Sequence, residues 1–169
     1  MRKEQGECEV MTVSDADIQQ IQQLVVPIYG QRAWGVARGI GSFVTMEFGN
    51  VLPTAGKQKQ PRGEWHLWVY CCAWRLEYSN DVLVGSEDAQ QKIDHLIKRL
   101  EGLTLQSIQI SAPGLDTVLV FEQGIIMKLF PIFTEKYEHW MLYAPDGNVL
   151  TLGPGSTWSY KRANEKPIS

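Results

Sequence analysis

The run Trp65-His66-Leu67-Trp68-Val69-Tyr70-Cys71-Cys72-Ala73-Trp74-Arg75-Leu76 gathers three of the six tryptophans, two of the three cysteines and one of the three histidines. Thiol, imidazole and indole groups could supply nucleophilic catalysis, metal ligation or aromatic recognition, and spacing decides among them. Neighbouring residues of a strand point to opposite faces, so Cys71 and Cys72 cannot share a tetrahedral metal without a bulge. The C-x-x-C spacing is missing. His66 and Cys72 fall on one face of an extended strand, but about 20 Å apart, far beyond hydrogen-bond reach. A Cys–His nucleophilic pair would need a histidine from elsewhere. His139 is the candidate, because His95 falls on the exposed side of a helix. Buried cysteines behaving as small hydrophobes fit the pattern better.

Alternation sets His66, Trp68, Tyr70, Cys72 and Trp74 on one face of a single strand, with Trp65, Leu67, Val69, Cys71 and Ala73 on the other. The aromatic face either packs beneath a helix or lines a ligand groove or partner surface. The candidate binding residues are His66, Trp68, Tyr70 and Trp74, with His139. No catalytic set emerges. Glu47, Glu64 and Glu77 lie in or beside strands without a spacing that pairs any two. Gly35, Gly39 and Gly41 do not form a phosphate loop, and neither a nucleophile elbow nor an H-E-x-x-H pair occurs. No metal and no cofactor is expected.

The elements that must position these residues follow from periodicity. Ser14 before Asp15, Ala16 and Asp17 predicts a capped helix over about 14–25, with Ile18, Ile21, Leu24 and Val25 on its apolar side. Strands are expected between Gly35 and Phe48, with a bend where Gly39 and Gly41 bracket Ile40. Residues 50–63 read as a loop bearing Lys57, Lys59 and Arg62. Ser86 is expected to cap a second helix ending near Glu101, with Gly102 as its stop. Only strands follow, at about 104–111, 115–122, 125–130, 138–143, 148–152 and 156–161, separated by Pro- and Gly-bearing turns. The fold class is α+β: mostly antiparallel sheet with two short amphipathic helices.

Residues 42–49 echo 116–122, and 65–70 echo 139–143, which suggests duplicated β units over about 36–78 and 104–161 of a single domain. Residues 1–13 and 162–169 are expected to be loose tails.

With 16 basic and 19 acidic residues, a net charge of −3 and 44% hydrophobic residues, the chain can build one sizeable core. The charge balance argues against nucleic acid as a partner, and no window resembles a membrane span. The odd cysteine count gives no disulfide framework, and the start of the chain lacks an apolar leader segment. A cytoplasmic setting is expected.

The stretch Gly63-Glu64-Trp65-His66-Leu67-Trp68-Val69, followed by Ala73-Trp74-Arg75-Leu76 and preceded by the strand Ser42 to Phe48, resembles small uncharacterised bacterial proteins. Some of these are of toxin-immunity type. The resemblance spans roughly the middle third of the chain and carries no functional residue across. It implies a non-enzymatic protein acting by protein–protein binding, such as an immunity-type inhibitor of a toxin. Two other readings remain: a small-molecule-binding protein or enzyme with a pocket near the aromatic strand, and a structural homo-oligomer, in its simplest form a homodimer.

Overall fold

Ser14 caps the first helix as its spacing predicts. Its Oγ accepts from the Asp17 N–H at 3.2 Å while the Asp17 carboxylate accepts from the Ser14 N–H at 2.8 Å, and this reciprocal cap fixes α1 at Asp15–Val25. The computed structural model describes residues 12–53 and 60–163. Lys57, Lys59 and the outer parts of both expected tails lie outside the described residues.

The strands are β1 (Ala33–Arg38), β2 (Val44–Val51), β3 (Gly63–Val69), β4 (Cys72–Tyr78), β5 (Asp81–Gly85), β6 (Leu105–Ser111), β7 (Asp116–Phe121), β8 (Ile125–Pro131), β9 (Trp140–Tyr143), β10 (Asn148–Leu152) and β11 (Trp158–Arg162). They form a six-stranded sheet, β1-β2-β3-β9-β10-β11, and a five-stranded sheet, β5-β4-β8-β7-β6. Every pairing is antiparallel. With two short helices beside these sheets, the α+β class holds.

One core lies between the sheets. Met46, Phe48, Leu67 and Leu142 of the first meet Leu76, Leu119, Met127 and Leu129 of the second, all buried in one cluster. Two indoles tie the layers: Trp140 Nε1 donates to Thr117 Oγ1 at 2.9 Å, and Trp74 Nε1 donates to the Ser42 carbonyl at 2.8 Å. Both rings thus bury their area with the polar N–H satisfied.

The connectivity is reciprocal. β1-β2-β3 form a meander in the first sheet, and the chain then crosses to place β4 and β5 in the second. β6-β7-β8 form a meander in the second sheet, and the chain then crosses back with β9 and β10. In this topology β2 corresponds to β7, β3 to β8 and β4 to β9. The echoing segments 65–70 and 139–143 are instead neighbours, since β3 pairs with β9.

Each meander's edge is closed by a helix from the other half. From α1, Gln22 donates to the Ile108 carbonyl at 2.8 Å and accepts from the Ile110 N–H at 3.1 Å, a side-chain amide standing in for a strand partner on β6. On β1, Glu101 accepts from the N–H groups of Gly35 and Val36 at 2.8 and 2.9 Å, while Lys98 bonds the Val36 carbonyl. Such contacts satisfy backbone groups that an open edge would offer to another chain.

Three expectations are corrected. The second helix, α2, runs only over Gln90–Leu96 before tightening into a 3₁₀ turn at Ile97–Leu100, and its N-cap is Ala89 rather than Ser86. Ser86 Oγ instead accepts from the Trp74 N–H at 3.1 Å, and its competing tertiary bond explains the lost cap. The aromatic segment is not one strand: it breaks at Tyr70–Cys71, where the chain leaves one sheet for the other. At that corner the alternation slips by one residue, so Trp65, Leu67 and Val69 face inward before it and Cys72, Trp74 and Leu76 after it. Finally, the expected tail does not begin at Arg162, because β11 pairs that residue with Asn148.

Candidate functional site

The face of β3 turned away from the core carries His66 and Trp68. Cross-strand register sets Trp34 of β1, Glu47 of β2, His66 and Tyr143 of β9 in one row across the sheet. Thr45, Trp68 and Met141 form the next row. Opposite residues of adjacent strands lie close enough for their side chains to bond directly.

In the first row they do. Glu47 Oε1 lies 2.5 Å from His66 Nδ1, and Glu47 Oε2 accepts from the Gly63 N–H at 3.0 Å. The two side chains are 8% and 9% exposed, so this is a nearly dry carboxylate–imidazole pair. The carboxylate fixes the ring's orientation and draws the proton of the neutral ring to Nδ1, leaving the lone pair on Nε2. Among the described residues Nε2 carries no hydrogen bond.

Bulges shape the ground around this pair. The β1–β2 register shifts between Trp34 and Ala37, where Gly35 takes a φ of +60°. The β2–β3 register shifts between Phe48 and Val51. There Gly49 holds a φ of +76°, Glu64 accepts from the Asn50 N–H at 2.8 Å, and Trp34 Nε1 donates to the Gly49 carbonyl at 2.9 Å. Gly63 is needed for another reason: a Cβ on it would lie 2.6 Å from the Phe48 carbonyl oxygen and 3.0 Å from the Trp34 ring. Bulges that re-aim side chains are common beside functional sites.

Two clefts meet at Arg62 and His66, which line both. The larger, about 500 Å³, adds Trp34, Thr45, Glu47 and Trp68. The smaller, about 290 Å³, adds Leu52, Glu64 and Tyr143. Trp68 is buttressed from the far side by Tyr70, 4.9 Å away between ring centroids, and by Phe43 at 6.4 Å.

Of the residues expected from sequence to bind, His66, Trp68 and Tyr70 therefore stand together on one surface. Trp74 is 2% exposed in the other sheet, and His139 is wholly buried. His139 Nε2 donates to the Gly155 carbonyl at 3.0 Å, while Nδ1 is buried with no partner among the described residues. Burial pulls His139 below the ordinary histidine value, against an opposing contribution from Gly155.

The thiols are poorly suited to attack. Burial, with Cys71 beside it, pushes Cys72 up to about 12, and burial and Glu138 raise Cys71 as well. Thiols so placed stay protonated near neutral pH. Trp34, Glu47 and Arg62 join the site although no sequence spacing links them to His66. The one signal is that Thr45 and Glu47 alternate with Val44, Met46 and Phe48 along β2.

Among the described residues no group of three His, Cys, Asp or Glu could hold a metal ion, and no helix is long and apolar enough to cross a membrane. No protein family, no curated protein and no solved structure matches the chain.

Proposed function

We propose that this is a binding protein whose ligand, a small molecule, enters the cleft over Glu47 and His66. The observation that carries the reading is the nearly dry carboxylate–imidazole pair opening on a cleft of about 500 Å³ between Trp34 and Trp68. Small-molecule sites combine such volumes and aromatic walls with a few fixed polar groups. The reading stays with binding because, among the described residues, Nε2 is bonded to no serine, threonine or cysteine that it could activate.

The test is a fragment screen read from the indole N–H resonances of the uniformly ¹⁵N-labelled protein, assigned by single Trp→Phe variants. Ligands of the cleft shift Trp34 and Trp68 and leave buried Trp140 unmoved. A library that moves neither resonance at millimolar concentration would remove the reading.

A second reading, the immunity-type inhibitor, is favoured by one feature. Ile40, at the tip of the β1–β2 hairpin, is 85% exposed, and the Phe43–Trp68–Tyr70 cluster follows it directly. A partner protein seated there would lose affinity with Ile40→Ser, whereas a small ligand of the cleft would not.

A further inference from the structure

We infer that the ligand of this cleft is a small planar acid: a flat ring bearing a carboxylate and an N–H or O–H donor. The inference rests on the binding function proposed above and adds the ligand's chemical class.

Three polar side chains at the cleft are already engaged. Glu47 uses one oxygen on the Gly63 N–H and the other on His66. Glu64 accepts from the Asn50 N–H, and Trp34 Nε1 is spent on the Gly49 carbonyl. The Thr45 and Tyr143 hydroxyls, the Gln60 amide and Trp68 Nε1 also line the clefts, and two further groups set the charge and polarity that a ligand must match. The Arg62 guanidinium makes no ion pair among the described residues. The other is His66 Nε2, an acceptor in the neutral ring whose one proton lies on Nδ1 toward Glu47.

A half-buried guanidinium presents a planar fork that matches a carboxylate with two parallel hydrogen bonds. The acceptor beside it asks for a donor on the same molecule. Trp34 and Trp68, standing in adjacent rows of the sheet, both line the cleft and supply aromatic surface for a flat body. An anion lacking the flat ring would leave both indoles unused. A flat amide would offer Arg62 one neutral acceptor in place of two charged ones, and the lost charge-assisted bond sets the preference for the acid.

Matched probes test this: indole-3-acetate, its amide, and naphthalene-1-acetate, which has the carboxylate without the N–H. Binding is followed by the Trp34 and Trp68 indole resonances and by titration calorimetry at pH 7.5. Indole-3-acetate is expected to bind at least 10-fold more tightly than its amide and several-fold more tightly than naphthalene-1-acetate. Arg62→Gln should erase the preference for acid over amide, while Arg62→Lys retains part of it. Amide and acid binding alike, with Trp34 and Trp68 still shifting, would overturn the acid inference and leave the binding function standing. If none of the three shifts either indole while neutral or cationic fragments do, the inference fails in the same way. If no fragment of any charge shifts them, the binding function fails with it.

Discussion

Glu47 joins two donors that nothing else nearby is shown to satisfy, so its replacement should separate a structural from an orienting role. Glu47→Ala leaves the Gly63 N–H and the His66 Nδ1–H without their acceptor in a site where Glu47 and His66, taken as whole residues, are 6% and 7% exposed. Each abandoned donor costs about 1–3 kcal/mol, so the variant should lose about 2–6 kcal/mol. For a chain of this length each kcal/mol lowers Tm by about 2–4 °C, and a fall of roughly 5–20 °C is expected. Glu47→Gln is the sharper variant. Its amide has one acceptor, which can keep the Gly63 N–H, and its NH₂ then faces His66 Nδ1. The imidazole can accept that hydrogen only by moving its own proton to Nε2. The stability loss should then be small, about 1 kcal/mol, while the tautomer reverses. Long-range ¹H–¹⁵N correlation spectra of the ring report this directly: Nδ1–H in the wild type, Nε2–H in the variant. An unchanged tautomer in Glu47→Gln, or equal destabilisation by Ala and Gln, would show that the carboxylate does not set the imidazole's proton.

Three further outcomes follow from the same geometry. Gly63→Ala drives a methyl to 2.6 Å from the Phe48 carbonyl, a backbone atom that cannot swing aside, and should cost about 1–3 kcal/mol by thermal unfolding; an unchanged Tm would mean that β2 and β3 part easily there. His139 carries a folded pKa below its ordinary value of 6.5. The unfolded chain therefore takes up a proton that the folded chain refuses. This group is silent well above pH 6.5, and its contribution turns destabilising as pH falls below 6.5 toward the folded value. His139→Gln should shrink the Tm difference between pH 7.5 and 5.5, and an undiminished difference would place the acid sensitivity elsewhere. In a Cys8→Ser/Cys71→Ser variant, Cys72 is the sole thiol, and iodoacetamide at pH 8 should leave it unmodified in the native state. Labelling at the rate of a free thiol would contradict its burial and its elevation to about 12.

The sequence made the elements readable and hid how they meet. Ser14 and Asp17 announce α1 because a capping box is local: donor and acceptor lie three residues apart. Gly102, with a φ of +80°, ends the second helical segment for an equally local reason. Ser86 misleads because its hydroxyl is claimed by Trp74, on a strand that the chain visited earlier. The aromatic segment misleads because unbroken alternation looks the same whether a strand continues or turns a corner; only the inward placement of both Val69 and Cys72 reveals the slip. His66 and Trp68 were legible as the outward residues of an apolar strand. Their partner Glu47 was not, since the bond depends on the β2–β3 register, and that register is set by a bulge at Gly49 and Asn50.

That bulge also distinguishes the strand pair that carries the site from its counterpart in the other sheet, since β2–β3 is broken in register and β7–β8 is not. In the second sheet the register breaks lie in the outer pairings β4–β5 and β6–β7, while β7–β8 and β4–β8 run unbroken and their outer face carries Arg75, Glu77 and Lys128. Arg75 and Lys128 both reach the Glu77 carboxylate, and the hydrogen bond from Arg75, then that from Lys128, lowers its pKa. Both cations are a third or more exposed, so the group is a solvated ion cluster of small energetic consequence. In the first sheet, the β2–β3 break is where the backbone N–H groups of Asn50 and Gly63 meet carboxylates, and Arg62, next to Gly63, lines the cleft. Glu47 then meets no cation that could satisfy it in solvent; it meets an imidazole and a peptide N–H, and the pair stays nearly dry. The two meanders share a topology and differ at their bulges, so the site belongs to Gly35, Gly49 and Gly63 as much as to the side chains they place.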